Sequence, residues 1–410
     1  MLRRHERGYS PYASDVPKEE PIPDRTRPAR VGIASHDGWI GGAQLSLLDT
    51  CQAVRDSGLE AVAILPTDDQ GSPLATRLAQ LGIETQYVPV ATWTGRGSRS
   101  EGRRRLVRGA AELPRTARAL GRLRLDCVVS NTGVAFSVAI AARALRLPHA
   151  WLLHESQLQQ NGNTHYLPLR AIRAVMRLTG PLLVPSQWLL SEVSVWAKGR
   201  AVAIEPAVST TGAPLGEDKI PSRIVFAGGA LPIKRLEDVV VGVGVLERRG
   251  RRLVLDVYGG RAEPARQQEL EDGARRAGVA YLIRWHGEVD DLAAHLSDEC
   301  IVISASGQET FGRVLVEAMR CGGLVVAING GASPEVVQHE RTGLLVPPAS
   351  PASVADAVDR LMDDPELRQQ LRQEAHIRAH QMWTPTRHAQ SLLQALRGFG
   401  FELAGTGRAA

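Results

Sequence analysis

Glu309 and Glu317 stand eight residues apart, with Thr310-Phe311-Gly312 and the start of a helix between them. The interval is too long for an i,i+4 pair, so it sets one carboxylate in a loop and the other inside the following helix. An ionised carboxylate accepts hydrogen bonds on both oxygens, which suits the adjacent hydroxyls of a sugar ring or a ribose. Gly312 lets the backbone approach a ligand closely, and the unpaired N–H groups at a helix start receive phosphate oxygens without a basic side chain. The competing reading is structural: a solvated loop acid at Glu309 and a surface ion pair at Glu317.

Three more groups have chemistry to offer. Lys234 and Arg235 follow Phe226-Ala-Gly228-Gly229-Ala-Leu-Pro-Ile at the start of another helix, where a mobile ammonium can meet a diphosphate. His154 and Glu155 end an apolar run, where the histidine can donate to a sugar hydroxyl and the glutamate can act as an acceptor-side base. Gly41-Gly42-Ala43-Gln44 joins a strand to a helix, as in nucleotide or sugar loops, although a plain βα turn reads the same way. An exposed helix-start lysine and a structural histidine are the bland alternatives at Lys234 and His154.

Alternating short apolar runs and helical periods position these residues. Strands are predicted at 31–35, 61–65, 85–90, 127–130, 149–153, 181–184 and 201–204, with helices at 45–55, 73–81 and 134–145. A second series starts at Arg223 and continues through 253–258, 280–284, 301–303 and 324–328. Asn329-Gly330-Gly331-Ala332 repeats the pattern of a glycine-containing turn before a helix, so two such loops can converge on the carboxyl edge of one parallel sheet. The expected organisation is an extension at 1–30, a first domain at 31–208, a linker at 209–222, a second domain at 223–382, a last helix at 383–398 and a loose tail at 399–410. Two doubly wound Rossmann-like α/β domains facing across a cleft follow from this order.

The chain has 410 residues, 43% hydrophobic and 4% aromatic, which favours two domains of helices packed on parallel sheets. No apolar run is long enough to span a bilayer, and the first 30 residues lack a signal-peptide core. Cys51, Cys127, Cys300 and Cys321 are scattered in apolar segments with no metal-ligand spacing, pointing to the cytoplasm. From Arg96 to Arg124, ten arginines face two glutamates, Glu101 and Glu112, a local net +8 against +5 for the whole chain. Apolar residues interleave with them, forming a basic amphipathic pattern expected to break or kink at Pro114. It reads as a solvated face, as a contact for an anionic membrane surface or acidic acceptor, or, with no supporting motif, as a nucleic-acid contact.

The block Glu309-Thr-Phe-Gly-Arg-Val-Leu-Val-Glu317, with Gly330-Gly-Ala-Ser-Pro-Glu335 and Thr342-Gly-Leu-Leu-Val-Pro-Pro348, resembles the E-x7-E signature region of retaining nucleotide-sugar glycosyltransferases of family 4, which have the GT-B fold. Gly41-Gly-Ala-Gln44, His154-Glu155 and Val184-Pro-Ser-Gln187 match further family positions, so the likeness runs from about Val31 to the C-terminal helices. It implies that 31–208 is the acceptor-side domain, 223–382 the donor domain and 383–398 a helix crossing back to the first, with a nucleoside diphosphate sugar as donor, a hydroxyl acceptor, and no metal or other cofactor. It gives Glu309 the donor sugar's hydroxyls, Glu317 the ribose and Lys234 the diphosphate, with Gly41, Gly42, Gly228, Arg235, Thr310, Phe311 and Gly312 completing the donor contacts. His154 falls beside the reacting sugar, and Gln44 and Glu155 on the acceptor side. The implied reaction is same-face substitution, with Lys234 and helix N–H groups stabilising the leaving diphosphate. Two departures stand out: Gly229 replaces an arginine that commonly contacts phosphate, and Ile204-Glu-Pro-Ala-Val-Ser209 replaces the usual Asn-Gly pair. A non-catalytic nucleotide-sugar binding subunit, or a transferase with unusual activated-sugar chemistry, is the alternative. The acceptor is open between a soluble molecule and a lipid-linked one at the inner membrane face, and no oligomeric state is implied.

Overall fold

The computed structural model describes residues 27–95, 98–156, 164–210, 212, 215–216, 218–260 and 263–403. Most of the expected N-terminal extension, Arg96, and residues 404–410 of the expected tail lie outside them.

The first half of the chain runs β1 (Arg30–Ala34), α1 (Gly42–Asp56), β2 (Glu60–Pro66), α2 (Pro73–Gln80) and β3 (Glu84–Val88). It continues through β4 (Thr94–Gly95), α3 (Arg99–Arg122), β5 (Cys127–Ser130), α4 (Phe136–Ala144) and β6 (His149–Leu152). β7 (Thr164–His165), α5 (Leu169–Thr179), β8 (Leu182–Val184), α6 (Gln187–Ala197) and β9 (Ala201–Ala203) complete it. Seven of these strands form one parallel sheet in the order β3-β2-β1-β5-β6-β8-β9, while β4 and β7 pair antiparallel beside it. β1, β5 and β6 are almost wholly apolar because helices cover both faces.

The second half runs β10 (Arg223–Ala227), α7 (Leu236–Arg248), β11 (Val254–Tyr258), α8 (Pro264–Arg276), β12 (Ile283–Gly287) and β13 (Cys300–Ser304). α9 (Arg313–Arg320), β14 (Leu324–Ile328), α10 (Ser333–Val336), β15 (Leu344–Val346), α11 (Pro351–Asp363), α12 (Pro365–Met382) and α13 (Pro385–Gly398) follow. Its parallel sheet has the order β12-β11-β10-β13-β14-β15, so the strand order reverses between β10 and β13 while all strands stay parallel. In open α/β sheets the crevice at such a reversal, beyond the carboxyl ends of the strands, is the ligand site.

α12 packs Ala375 and Ala379 into the second domain, whereas α13 buries Leu392, Leu393 and Leu396 with Val31, Ile33 and Leu47 of the first. The last helix therefore crosses back. Phe401 and Leu403 join the same core, which corrects the expected loose tail from residue 399: the described part of it is anchored by burial of two large apolar side chains. The expected break at Pro114 is also corrected, since α3 continues through it as one helix of 24 residues. Its start carries a capping box between Ser98 and Glu101. α8 escaped the sequence reading because only Leu270 and Ala274 of it are buried, too thin an apolar stripe to register as a period.

Candidate active site

The reversal between β10 and β13 brings Lys234 and Glu309 together. Gly228 and Gly229 follow β10, and a short 3₁₀ turn at Pro232–Lys234 carries the lysine back over the sheet edge. The loop after β13 carries Glu309, whose Oε2 accepts a hydrogen bond from Lys234 Nζ at 2.8 Å. Gly228 makes room for the lysine stem, since a Cβ there would stand 3.3 Å from Lys234 Cγ and Cδ. Gly229 has φ +65°, and a Cβ on it would stand 2.7 Å from the Gly260 carbonyl oxygen, so the backbone excludes any side chain at this position.

The second glycine turn supports the same loop. Gly331, at φ +59°, packs directly on the Glu309 backbone, where a Cβ would approach its N and O at 2.5 and 2.6 Å. The Ala332 amide then donates to the Glu309 carbonyl at 2.7 Å. Gly312 caps α9 at φ +96°, and Arg313 opens that helix.

The first domain closes over this edge. The Thr310 hydroxyl donates to the His154 carbonyl at 2.7 Å, and Glu335 accepts the amides of Gln187 and Trp188 at 2.8 and 2.7 Å, both contacts spanning the two domains. Between the domains lies a cavity of about 300 Å³, whose wall includes Gly42, His154, Glu155, Lys234, Glu309 and Arg313. Thr310, Phe311 and Gly312 line it as well.

His154 is held in one tautomer. Asn131, just after β5, donates its Nδ2 to the Ala43 carbonyl at 2.7 Å, which turns its Oδ1 toward His154 Nε2 at 2.8 Å. Nε2 therefore carries the proton and donates, and Nδ1, with no hydrogen bond among the described residues, is the acceptor. Desolvation, with repulsion from His388, Arg313 and His36, lowers the His154 pKa to about 3, so the ring is neutral. This reverses the expectation that the ring donates to a sugar, because its one N–H is already committed. Glu155 is exposed to the cleft, and the partial loss of water there raises its pKa.

Three expected site residues are turned elsewhere. Arg235, in the left-handed region at φ +53°, forks onto Asp238 with contacts of 2.6 and 3.0 Å instead of facing the cavity. Gln44 is buried and donates to Asp37 Oδ1 at 2.7 Å. Glu317 stands behind the cavity wall, its Oε1 accepting from Arg313 Nε at 2.8 Å, and burial raises its pKa despite that cation. Gly41 is the N-cap of α1, with Gly42 as its first helical residue at the cavity wall.

The sequence reading missed Asn131, Asp49 and Arg313 as members of the site. A polar residue ending an apolar strand was a signal for Asn131. Asp49 had none, because its partner Arg313 is 264 residues away and 2.6 Å distant. Among the described residues no cluster of three or more His, Cys, Asp or Glu has metal-holding geometry, and no helix is long and apolar enough to cross a membrane. The cysteines are all free and buried, and desolvation pushes the Cys127 thiol up to about 12.

Two parallel-sheet domains facing across a cleft, joined by a helix that returns to the first, define the GT-B fold. Residues 41–206 match the family described as Glycosyl transferase 4-like domain, and residues 212–378 match Glycosyl transferases group 1. The protein is thus a GT-B-fold chain with a glycosyltransferase family 4-like domain. It is 33% identical over 155 residues to a D-inositol 3-phosphate glycosyltransferase of Streptomyces bingchenggensis, an alignment covering 36% of this chain and 34% of that one. A Jonesia denitrificans protein of the same name is 32% identical over 170 residues, covering 40% of each. These alignments span well under half of either relative's length. Among solved structures, Anabaena HepE in complex with UDP and glucose superposes with a TM-score of 0.70 at 21% identity, over 90% of this chain and 99% of that one, a likeness of fold.

Proposed function

We propose that this protein is a retaining glycosyltransferase that moves a hexose-type sugar from a nucleoside diphosphate sugar to an acceptor hydroxyl. The observation that carries the reading is the Lys234–Glu309 pair at the β10/β13 reversal, inside a cavity walled by both domains. The two groups neutralise each other in the free protein. A donor entering the cavity offers its diphosphate to Lys234 and its sugar hydroxyls to Glu309, so each exchanges one partner for another. The name of the Anabaena structure, a complex with UDP and glucose, supports this donor class.

In the reaction the bond from the anomeric carbon to the β-phosphate oxygen breaks on the face where the acceptor oxygen bonds. The acceptor's proton passes to the departing phosphate oxygen, which gains charge as the sugar becomes oxocarbenium-like. Lys234 and the N–H groups at the start of α9 stabilise that growing charge. Glu309 orients the sugar, and the role assigned to His154 Nδ1 is acceptance of a sugar hydroxyl hydrogen. The experiment is a panel of UDP and GDP sugars with candidate hydroxyl acceptors, read by mass spectrometry, with NMR of the product's anomeric carbon. A glycoside of unchanged configuration is expected. Donor binding without transfer to any acceptor would favour a non-catalytic binding subunit, free sugar alone a hydrolase, and inversion would reject the retaining route.

The acceptor is proposed to be acidic and presented at an anionic membrane surface, on the cytoplasmic side. Arg104, Arg108, Arg115, Arg118 and Arg122 recur at helical spacing on the exposed side of α3, with no ion pair among the described residues. Val107, 67% exposed, lies among them. Each arginine near an anionic bilayer contributes about 1 kcal/mol, and an apolar side chain adds insertion. The names of the two bacterial relatives specify a phosphorylated polyol, an acidic acceptor of the same chemical kind.

A further inference from the structure

A nucleoside diphosphate sugar carries a negative charge on each phosphorus, and Lys234 matches one of them. Of the described residues that line the cavity, the other with a fixed positive charge is Arg313. The remaining basic candidates are spent or shut out: Arg235 is forked onto Asp238, and the Gly229 backbone leaves no room for a side chain beside Gly260.

Arg313 is built for a fixed position. Its Nη1 donates to Asp49 Oδ2 of α1 at 2.6 Å and its Nε to Glu317 Oε1 at 2.8 Å, so carboxylates from the two domains grip two of its three nitrogens. Both partners are nearly buried, with side-chain exposures of 7%, against 16% for Arg313. Burial works against the guanidinium, but Asp49 and Glu317 outweigh it and raise its pKa, so it stays charged when water is excluded. Nη2 makes no hydrogen bond among the described residues. A guanidinium fixed at two corners and open at the third presents donors to an anion at little cost in side-chain entropy.

We propose that Arg313 is a donor-binding residue that contacts the diphosphate from the first turn of α9, supplying the second positive charge that the loop after β10 cannot provide. This rests on the nucleotide-sugar reading. Because Arg313 Nη1 is also held by the opposite domain through Asp49, the contact forms fully only when the cleft is closed. Arg313 thereby ties diphosphate recognition to domain closure.

The test is calorimetric binding of UDP, UMP, GDP and GMP to the full chain and three variants. Arg313→Gln is expected to weaken binding of the preferred diphosphate by about tenfold to a hundredfold while changing its monophosphate less than about threefold. Arg313→Lys should recover part of the loss. Asp49→Asn, which cuts the tie to the first domain and leaves the guanidinium in place, should weaken diphosphate binding less than Arg313→Gln does. Equal losses for diphosphate and monophosphate, no loss at all, or Asp49→Asn reproducing the full effect would overturn the inference and leave Arg313 as an interdomain clasp. Wild-type protein that binds none of the four nucleotides would instead remove the underlying functional reading, and this inference with it.

Discussion

Lys234 Nζ and Glu309 Oε2 stand 2.8 Å apart although 75 residues separate them, each following one of the two strands between which the strand order of the second sheet reverses. Neither group is spare in the free protein: each is the other's counter-ion, half-shielded at 29% and 13% side-chain exposure. Donor binding on this geometry is an exchange of partners.

Removing either member should therefore affect stability and turnover differently. Glu309→Ala is expected to lower kcat/KM by about a hundredfold or more, and Lys234→Ala by a similar factor with weakened donor binding. Each single variant should also lose about 1 kcal/mol of stability, since it strands a partly buried charge, while Lys234→Met combined with Glu309→Gln regains most of that loss and none of the activity. Near-normal steady-state rates in both single variants would reject the site assignment.

Glu335 grips the start of α6 from the other domain through the Gln187 and Trp188 amides. A carboxylate at a helix N-terminus with two charge-assisted hydrogen bonds contributes about 1–2 kcal/mol, here to closure of the cleft. Glu335→Ala is expected to enlarge the radius of gyration in solution scattering and to raise the donor KM more than it lowers kcat. Identical scattering curves would show that the clasp does not hold the domains.

Two histidines make the fold acid-sensitive. Desolvation lowers both His149 and His154 to about 3, below the ordinary 6.5 of an exposed ring. Between those values the unfolded chain binds a proton that the folded chain does not, so their contribution is complete above pH 6.5 and declines as pH falls toward 3. The slope is about 1.4 kcal/mol per pH unit for each ring well inside that window. Chemical unfolding from pH 7.5 to 4.5 should show this loss, and His149→Gln should remove one ring's share of it. An unchanged pH slope in that variant would contradict the burial argument.

The exposed arginines of α3 make their own prediction. Arg104→Glu, Arg108→Glu and Arg115→Glu together should abolish sedimentation with vesicles containing phosphatidylglycerol, with neutral phosphatidylcholine vesicles as the control. The melting temperature should move by no more than about 2 °C, because these side chains are exposed and make no hydrogen bond or ion pair among the described residues. Wild-type protein that ignores anionic vesicles would leave the face as a solvated one.

Leu396 is fully buried where α13 crosses back onto β1 and α1. Leu396→Ala is expected to cost about 2–4 kcal/mol, and a loss under about 1 kcal/mol in urea unfolding would argue that the crossing helix is loosely docked.

The sequence alone determined what is local and periodic. Runs such as Cys300–Ser304 and Leu324–Ile328 are apolar because both faces of a parallel strand are covered, and each announces a loop at its carboxyl end. Glu309, Gly312, Lys234, Gly42 and His154 all reach one cavity for that reason, and the order of the two βα series implied a two-domain cleft before any coordinates. Tertiary structure decided where each side chain turns. Arg235 and Gln44 have the right composition and neighbourhood, yet Asp238 and Asp37 capture them. Asp49 meets Arg313, and Glu335 meets the start of α6, only because domains built from distant residues close on each other. Hydrophobic period places a residue at a sheet edge through burial of its neighbours; the partner of a charged group is set by which opposite charge or unpaired N–H lies within 3 Å after packing, and sequence spacing carries no record of that.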